Sequence, residues 1–365
     1  MVFGLLGNNL NCHTRKSYVY MKDQLIPFPF QANFGLLPDT IAKECLGDFI
    51  YATGFNNNKK VSNLSDWLNI RFGKGLTENF LGPYNQKMWQ VSLSEITLDW
   101  VEKFIPQPEL DAVVEGVLGK KKDKYGYNVK FWYPRKGGIF SLPKAMKKRV
   151  ENLHLNEEAV EISLKRKKVR FKSKKEIPYS NIVSSMPLPE LIKIIKGIPA
   201  GIKTKSMGLS YCSVFNINLG LNVQIDPNVH WVYFPEKKYP FYRYGVISNF
   251  SKNAAPKGKS SIYIEISYPH DKKINMEMAL KDTIKRLIEL KVISNKEDIN
   301  TIKTMDIKYA YVIYNSARKQ YLNDILGYLE KQGIYSRGRY GSFEYSSMND
   351  ALIAGMDIAE KLNAE

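Results

Sequence analysis

Apolar residues recur at helical spacing in several stretches of the chain. Ile41, Cys45, Phe49 and Ile50 share one face of a helix predicted over 36–51, and Leu280, Ile284, Leu287 and Ile288 share one over 276–292. Leu322, Ile325, Leu326 and Leu329 predict a helix ending at Gly333, where a left-handed residue is wanted. Ser347 and Asp350 form a capping pair that opens another helix through Leu352, Met356, Ala359 and Leu362. One or two shorter helices are predicted over 62–80, ending at Gly82-Pro83, with helical character again around Trp100 and after Gly138 through Leu142, Ala145 and Met146. Alternation predicts strands in the basic segment 160–183, with its turn at 165–168, and over 207–221, 260–267 and 309–314. Segments 15–31 and 230–251 read as hairpins, the first ending in a proline-fixed extended run. Long helices interspersed with strands give an α+β or α/β chain.

Length permits two or three domains or one interleaved unit, since 365 residues with 44% apolar content support a sizeable core. The formal charge of +18 is spread, with runs at 120–124 and 165–175 that read as solvated faces rather than a nucleic-acid surface. The three cysteines, Cys12, Cys45 and Cys212, are odd in number and far apart, which fits a reducing cytoplasm better than a disulfide framework. No apolar run reaches the roughly 20 residues of a membrane-spanning helix. His13, His154, His230 and His270 fall in no metal-ligand spacing, so no metal site is expected.

Candidate chemistry concentrates at 333–359. Three glycines, two arginines and four aromatics lie between the two C-terminal helices, among them Gly338, Arg339, Gly341 and Tyr345. Glycine lets backbone approach a ligand, arginine pairs with phosphate, and a helix N-terminus offers unpaired N–H groups to an anion. These residues suit a dinucleotide's phosphates; they would equally make a Gly-rich turn. A second informative stretch is the hairpin at 230–251, dense in aromatics around Arg243. A buried arginine there needs an anionic partner.

Gly338-Arg-Tyr-Gly-Ser-Phe-Glu-Tyr345 before a helix resembles the C-terminal flavin-contacting segment of UDP-galactopyranose mutases and, more loosely, of protoporphyrinogen and amine oxidase-like flavoproteins. Four further elements stand in the same order. Pro29-Phe30-Gln31 resembles the mutases' Tyr-Pro-Phe-Gln element, and Tyr84-Asn85-Gln-Lys-Met-Trp89 with Trp100 resembles their Tyr-Asn-x-Lys-x-Trp. Pro134-Arg-Lys-Gly137-Gly138 resembles the Pro-x-x-Gly-Gly beside the cofactor. Trp231-Val-Tyr-Phe-Pro-Glu236 and Pro240-Phe-Tyr-Arg243 resemble the pair that carries the diphosphate-binding arginine.

The resemblance implies a two-domain FAD flavoprotein with a mixed-sheet substrate domain and a helical insertion. It places a helical and hairpin substrate region at 1–130, part of the FAD-binding domain at 131–190, the substrate domain at 191–330 and a return to the FAD-binding domain at 331–365. By the same resemblance Arg243, Tyr233, Tyr311 and Tyr345 meet the diphosphate of a UDP-sugar, while Gln31, Phe30, Asn128, Trp89, Tyr84 and Asn85 shape the sugar and uridine pockets. Arg339, Gly338, Gly341, Ser347, Met348, Asn349, Gly137 and Gly138 then lie on the flavin side. In that family the reduced flavin is itself the nucleophile, so no side chain is expected as catalyst. Lys103 and Phe104 stand where eukaryotic-type mutases place a second arginine for the diphosphate, leaving at most a lysine point charge.

The class opens with a strand, a Gly-x-Gly-x-x-Gly turn and a helix. Gly73-Lys-Gly75 lacks the third glycine and follows no strand, so the fingerprint is absent and weak FAD binding or none is expected unless a preceding or separate N-terminal segment supplies it; a homo-oligomer is the other partner envisaged. Two alternatives accompany the mutase reading. One is an FAD-dependent oxidoreductase of the protoporphyrinogen or amine oxidase type, favoured by Lys103/Phe104 and by Ser346-Ser347-Met348 where bacterial mutases show an aspartate. The other is a truncated, non-catalytic product.

Overall fold

The computed structural model describes residues 1–55, 60–119 and 129–364. Residue contacts divide the chain into two units, the first formed by 1–94, 98–151 and 213–308, the second by 95–97, 152–212 and 309–365.

Among the described residues, the largest sheet has seven strands in the order Ile299–Val312, Tyr211–Leu221, Ser260–Pro269, Arg243–Val246, Trp231–Tyr233, Ser17–Met21 and Gln24–Pro27. It is mixed: Trp231–Tyr233 runs antiparallel to Arg243–Val246 but parallel to Ser17–Met21. One face packs on the amphipathic helix Met276–Glu289. Ile217, Leu219, Val246, Ile262 and Ile264 form the first unit's main core with Ile284 and Leu287 of that helix. The expected hairpins, Ser17–Met21 with Gln24–Pro27 and Trp231–Tyr233 with Arg243–Val246, are both present.

Helices Asp39–Phe55 and Leu64–Leu76 pack on one another, and Gly73-Lys-Gly75 is the point of closest approach. A Cβ at Gly73 would stand 2.4 Å from the Asp48 carbonyl oxygen, and the Gly75 N–H donates to the Asp48 carboxylate at 2.7 Å. These two glycines serve helix packing. Gly82-Pro83 does not end the helical run, as its composition suggested, but starts the helix Gly82–Trp89, with proline in the first turn, where its missing N–H costs nothing. Of the stripe predicted on the first of these helices, Cys45 and Phe49 are buried, whereas Ile50 is exposed. Ala42 and Ala52 complete the buried face.

In the second unit a four-stranded sheet contains the meander Ala159–Ser163, Lys168–Phe171 and Glu176–Pro178, whose basic residues alternate with Glu161 and Glu176 in surface ion pairs. Ile182–Ser184 pairs in parallel with Ile334–Ser336, a strand the periodicity did not signal. Helix Ser316–Lys331 ends before Gly333, whose φ of 73° is the left-handed value expected of it. The last helix, Met348–Ala364, forms as predicted but buries Ile358; Met356 and Ala359 are exposed, and Leu352 and Leu362 only half-buried. No described helix is long and apolar enough to cross a membrane.

Candidate functional site

The first unit builds its cluster on a cross-strand pair. Tyr233 and Arg243 face each other in register at the mouth of the loop that joins their strands. Arg243 is a quarter exposed, and its Nε makes a short ion pair with Glu265, directly opposite on the neighbouring strand. Glu265 also accepts from the Tyr242 hydroxyl at 2.8 Å. The anionic partner demanded of Arg243 is thus partly built into the sheet. That contact uses one of five guanidinium donors and fixes the plane of the rest.

Around this pair the aromatic groups are ordered by residues whose role the sequence did not disclose. Arg15 donates to the Tyr233 hydroxyl at 2.5 Å and lies over the rings of Phe28, at 4.8 Å, and Trp231, at 5.3 Å. Tyr84 meets Tyr233 edge to face with ring centres 5.6 Å apart. Arg15 just precedes a strand and is separated from Tyr233 by 218 positions, so no local pattern points to it.

Four of the expected pocket residues, Phe30, Gln31, Asn85 and Trp89, are buried. Phe30 is fully buried against Phe80, and Trp89 is fully buried against Trp100, with its indole N–H donating to Asn85 at 3.2 Å. Asn85 in turn donates to the Leu81 carbonyl. Gln31 is buried on the turn Phe30–Ala32, donates to the Pro106 carbonyl at 2.9 Å and keeps a buried Oε1 with no hydrogen-bond donor. Asn128 lies outside the described residues. Gly137 and Gly138, both at positive φ, turn the chain between strand Lys130–Pro134 and helix Ser141–Lys147, and the Ser141 hydroxyl stands where a Gly137 side chain would be.

Lys87 is the least expected member. Its ammonium points at the loop between Tyr233 and Arg243, within 2.8 Å of the Phe234 carbonyl, 2.6 Å of Glu236's and 3.0 Å of Tyr239's. Burial draws its pKa down to about 7, opposed by the Glu236 carboxylate. The three carbonyls favour the charged form, because only an ammonium brings three donors.

His230 immediately precedes the strand Trp231–Tyr233 and is buried as a neutral ring. Its Nδ1 accepts from the Lys16 N–H at 3.0 Å, and its other nitrogen donates to the Asn249 carbonyl. Burial, then the neighbouring His13 and Lys16, lowers its pKa to about 4. Between pH 4 and 6.5 the unfolded chain therefore binds the extra proton, so this contribution is present above pH 6.5 and lost as pH falls through 4. It amounts to about 3 kcal/mol by linkage. The His230 imidazole resonance is expected to stay at its neutral position at pH 5, and His230→Gln to flatten the fall in unfolding temperature between pH 6.5 and 4.5; a ring titrating near 6.5 would contradict this placement.

The second unit gathers the C-terminal residues. Arg339 lies among the rings of Tyr345, Tyr311 and Tyr340, at 5.0, 5.4 and 5.8 Å, and donates to the carbonyls of Ser346 at 2.7 Å and Ala310 at 3.0 Å. Tyr311 and Tyr345 pack with ring centres 5.6 Å apart. The Tyr345 N–H donates to the Tyr314 hydroxyl, and the Tyr314 ring lies 3.8 Å from the Arg318 guanidinium. The Ser347–Asp350 capping pair is formed, with the Ser347 N–H donating to Asp350 at 2.7 Å and the Asp350 N–H to the Ser347 hydroxyl at 3.2 Å. Met348 and Asn349 occupy the first turn, where N–H groups have no intrahelical acceptor. The Ser346 hydroxyl is buried without a hydrogen-bond partner. Gly338 has a φ of 78° and open space at its missing side chain, whereas Gly341 is required by the Ser184 carbonyl oxygen, 2.8 Å from where its Cβ would be. Among the described residues no cluster of metal-ligating side chains exists.

The sequence matches no family profile. The fold is similar to that of reduced UDP-galactopyranose mutase over 100% of this chain and 80% of that one, with 25% identity and a TM-score of 0.93. It is also similar to a protein from an Exiguobacterium species described as a protoporphyrinogen oxidase, at 13% identity, 99% and 83% coverage and a TM-score of 0.73. A putrescine oxidase variant matches at 11% identity, with 100% and 85% coverage and a TM-score of 0.65. In fold, the chain is similar to UDP-galactopyranose mutase and to protoporphyrinogen oxidase-like and amine oxidase-like proteins.

Proposed function

We propose that this chain is a UDP-galactopyranose mutase-like flavoenzyme acting on a UDP-sugar. The likeness to reduced UDP-galactopyranose mutase carries the reading, because at a TM-score of 0.93 it extends over the whole chain and far exceeds that to the oxidases. In the first unit, Arg243, oriented by Glu265, offers guanidinium donors to a diphosphate, and Tyr233 adds a hydroxyl beside it. In the second unit, Tyr311 and Tyr345 are hydroxyl donors for phosphate oxygens.

A flavin fits the second unit on the donors that its turn presents. The Ser346 hydroxyl, buried and unpartnered, and the main-chain N–H groups of Met348 and Asn349 would hold an anionic cofactor, with Arg339 supplying positive potential. When bound, a reduced flavin supplies the nucleophile for the sugar's anomeric carbon. The protein's own residues bind and orient: within the first unit, Arg243 offsets the charge of a leaving nucleoside diphosphate and Tyr233 holds a phosphate oxygen.

UDP is the test ligand. At a concentration 100 times its Kd it is expected to stabilise the folded chain by about 2.7 kcal/mol, raising the unfolding temperature by several degrees. Putrescine and inorganic pyrophosphate at the same concentration are the controls. A shift with putrescine and none with UDP would move the assignment to the amine oxidase type.

A further inference from the structure

The helix Gly82–Trp89 carries Tyr84, Asn85 and Trp89 and, between them, Lys87. A lysine placed only for solubility would reach water. This one reaches across 147 to 154 positions of sequence to the carbonyls of Phe234, Glu236 and Tyr239, with that of Phe241 at 3.5 Å. All four belong to the loop that leaves the strand of Tyr233 and returns at Arg243. The loop's own backbone bonds are few: the Phe234 N–H donates to Tyr242 at its base, and the Tyr239 N–H to Glu236. Four carbonyl dipoles converging on one point repel each other unless a cation or several donors stand there, so the Lys87 ammonium holds the loop in this shape.

We propose that Lys87 is a positioning residue, which fixes the loop between Tyr233 and Arg243 and thereby sets Arg243 to receive the diphosphate of a nucleotide-sugar. The inference rests on the anion-binding reading of Arg243, but its mechanical part is measured separately. With Lys87 removed the loop loses its central donors, the register of Tyr233 and Arg243 loosens at its open end, and the guanidinium is no longer held where the anion meets it. Tyr84, on the same helix, touches both Tyr233 and Tyr242, so the disturbance reaches the ring that flanks the pair.

The experiment compares the full chain with Lys87→Met, Lys87→Arg, Arg243→Ala and the double variant, at a temperature where all are folded. Amide hydrogen exchange over 234–242 and UDP affinity by calorimetry are read in each. In Lys87→Met, exchange over the loop is expected to rise and UDP affinity to fall by about tenfold or more. Lys87→Arg, which keeps the charge but not the pyramidal set of donors, recovers part of both. In the Arg243→Ala background Lys87→Met costs no further affinity, a result that general destabilisation would not give. Unchanged exchange in Lys87→Met overturns the inference, as does raised exchange with the parent's UDP affinity. If the parent binds no UDP, the functional reading fails, and the exchange data alone decide whether Lys87 fixes the loop. Should Lys87→Met not fold, Lys87→Gln, with two donors in place of three, takes its place.

Discussion

Replacing Arg243 by alanine is expected to weaken UDP binding by about 30-fold or more, the loss of a charge-assisted pair worth at least 2 kcal/mol. Two effects combine. The diphosphate loses its guanidinium donors, and Glu265, only 13% exposed, keeps its charge beside the Tyr242 hydroxyl. The carboxylate would then repel the anion that the arginine attracted. Arg243→Ala combined with Glu265→Gln separates the two: it should regain part of the affinity and most of the stability lost by the single change. Arg243→Lys keeps a charge but not the fork, and should fall between parent and alanine. Calorimetric titration with UDP checks the series, and an Arg243→Ala variant that binds UDP like the parent would remove Arg243 from the site.

The largest loss of stability is expected from a single methyl group at Gly116. This glycine sits on the helix Leu110–Val117, where that helix crosses the turn Phe30–Ala32, and a Cβ there would stand 1.8 Å from the Ala32 carbonyl oxygen. The obstacle is backbone on both sides, so no side chain can move aside. Gly116→Ala must push the helix off the turn, at a cost of about 3 kcal/mol or more. The turn carries Phe30 and Gln31, so urea denaturation should show a lower midpoint and the Gln31 side-chain amide resonance should shift. A variant with the parent's midpoint would mean that the helix and turn stand further apart than described.

Much of this architecture was legible in the residues, and the misses have physical causes. Helical spacing located Met276–Glu289 and Ser316–Lys331 because both lay an apolar stripe on a core present in the same unit. It failed for the inner face of Met348–Ala364: a stripe records that residues are apolar, not that a neighbour covers them, and Met356 is half exposed. Gly82-Pro83 was misread because proline stops a helix in its interior but suits its first turn. At the candidate site the motif residues Tyr233, Arg243, Tyr311, Arg339 and Tyr345 could be picked out, whereas their supports could not. Arg15, Lys87 and Glu265 act on partners 22 to 218 positions away, and only the folded chain brings them together.

The second unit is discontinuous, since its segment 152–212 is separated from 309–365 by residues of the first. Its parallel pair joins Ile182–Ser184 to Ile334–Ser336. During synthesis the earlier strand leaves the ribosome and waits, its ladder partner unmade, until about 150 further residues have been added, roughly 8 to 30 seconds at cellular rates. Tyr211–Leu221, Arg243–Val246 and Ser260–Pro269 can meet one another sooner, all lying within a short span of chain. The order of completion is thereby imposed by the covalent sequence: the unit holding Arg339 and its tyrosines closes last, because its final strand and helices are synthesised after the last residues of the first unit.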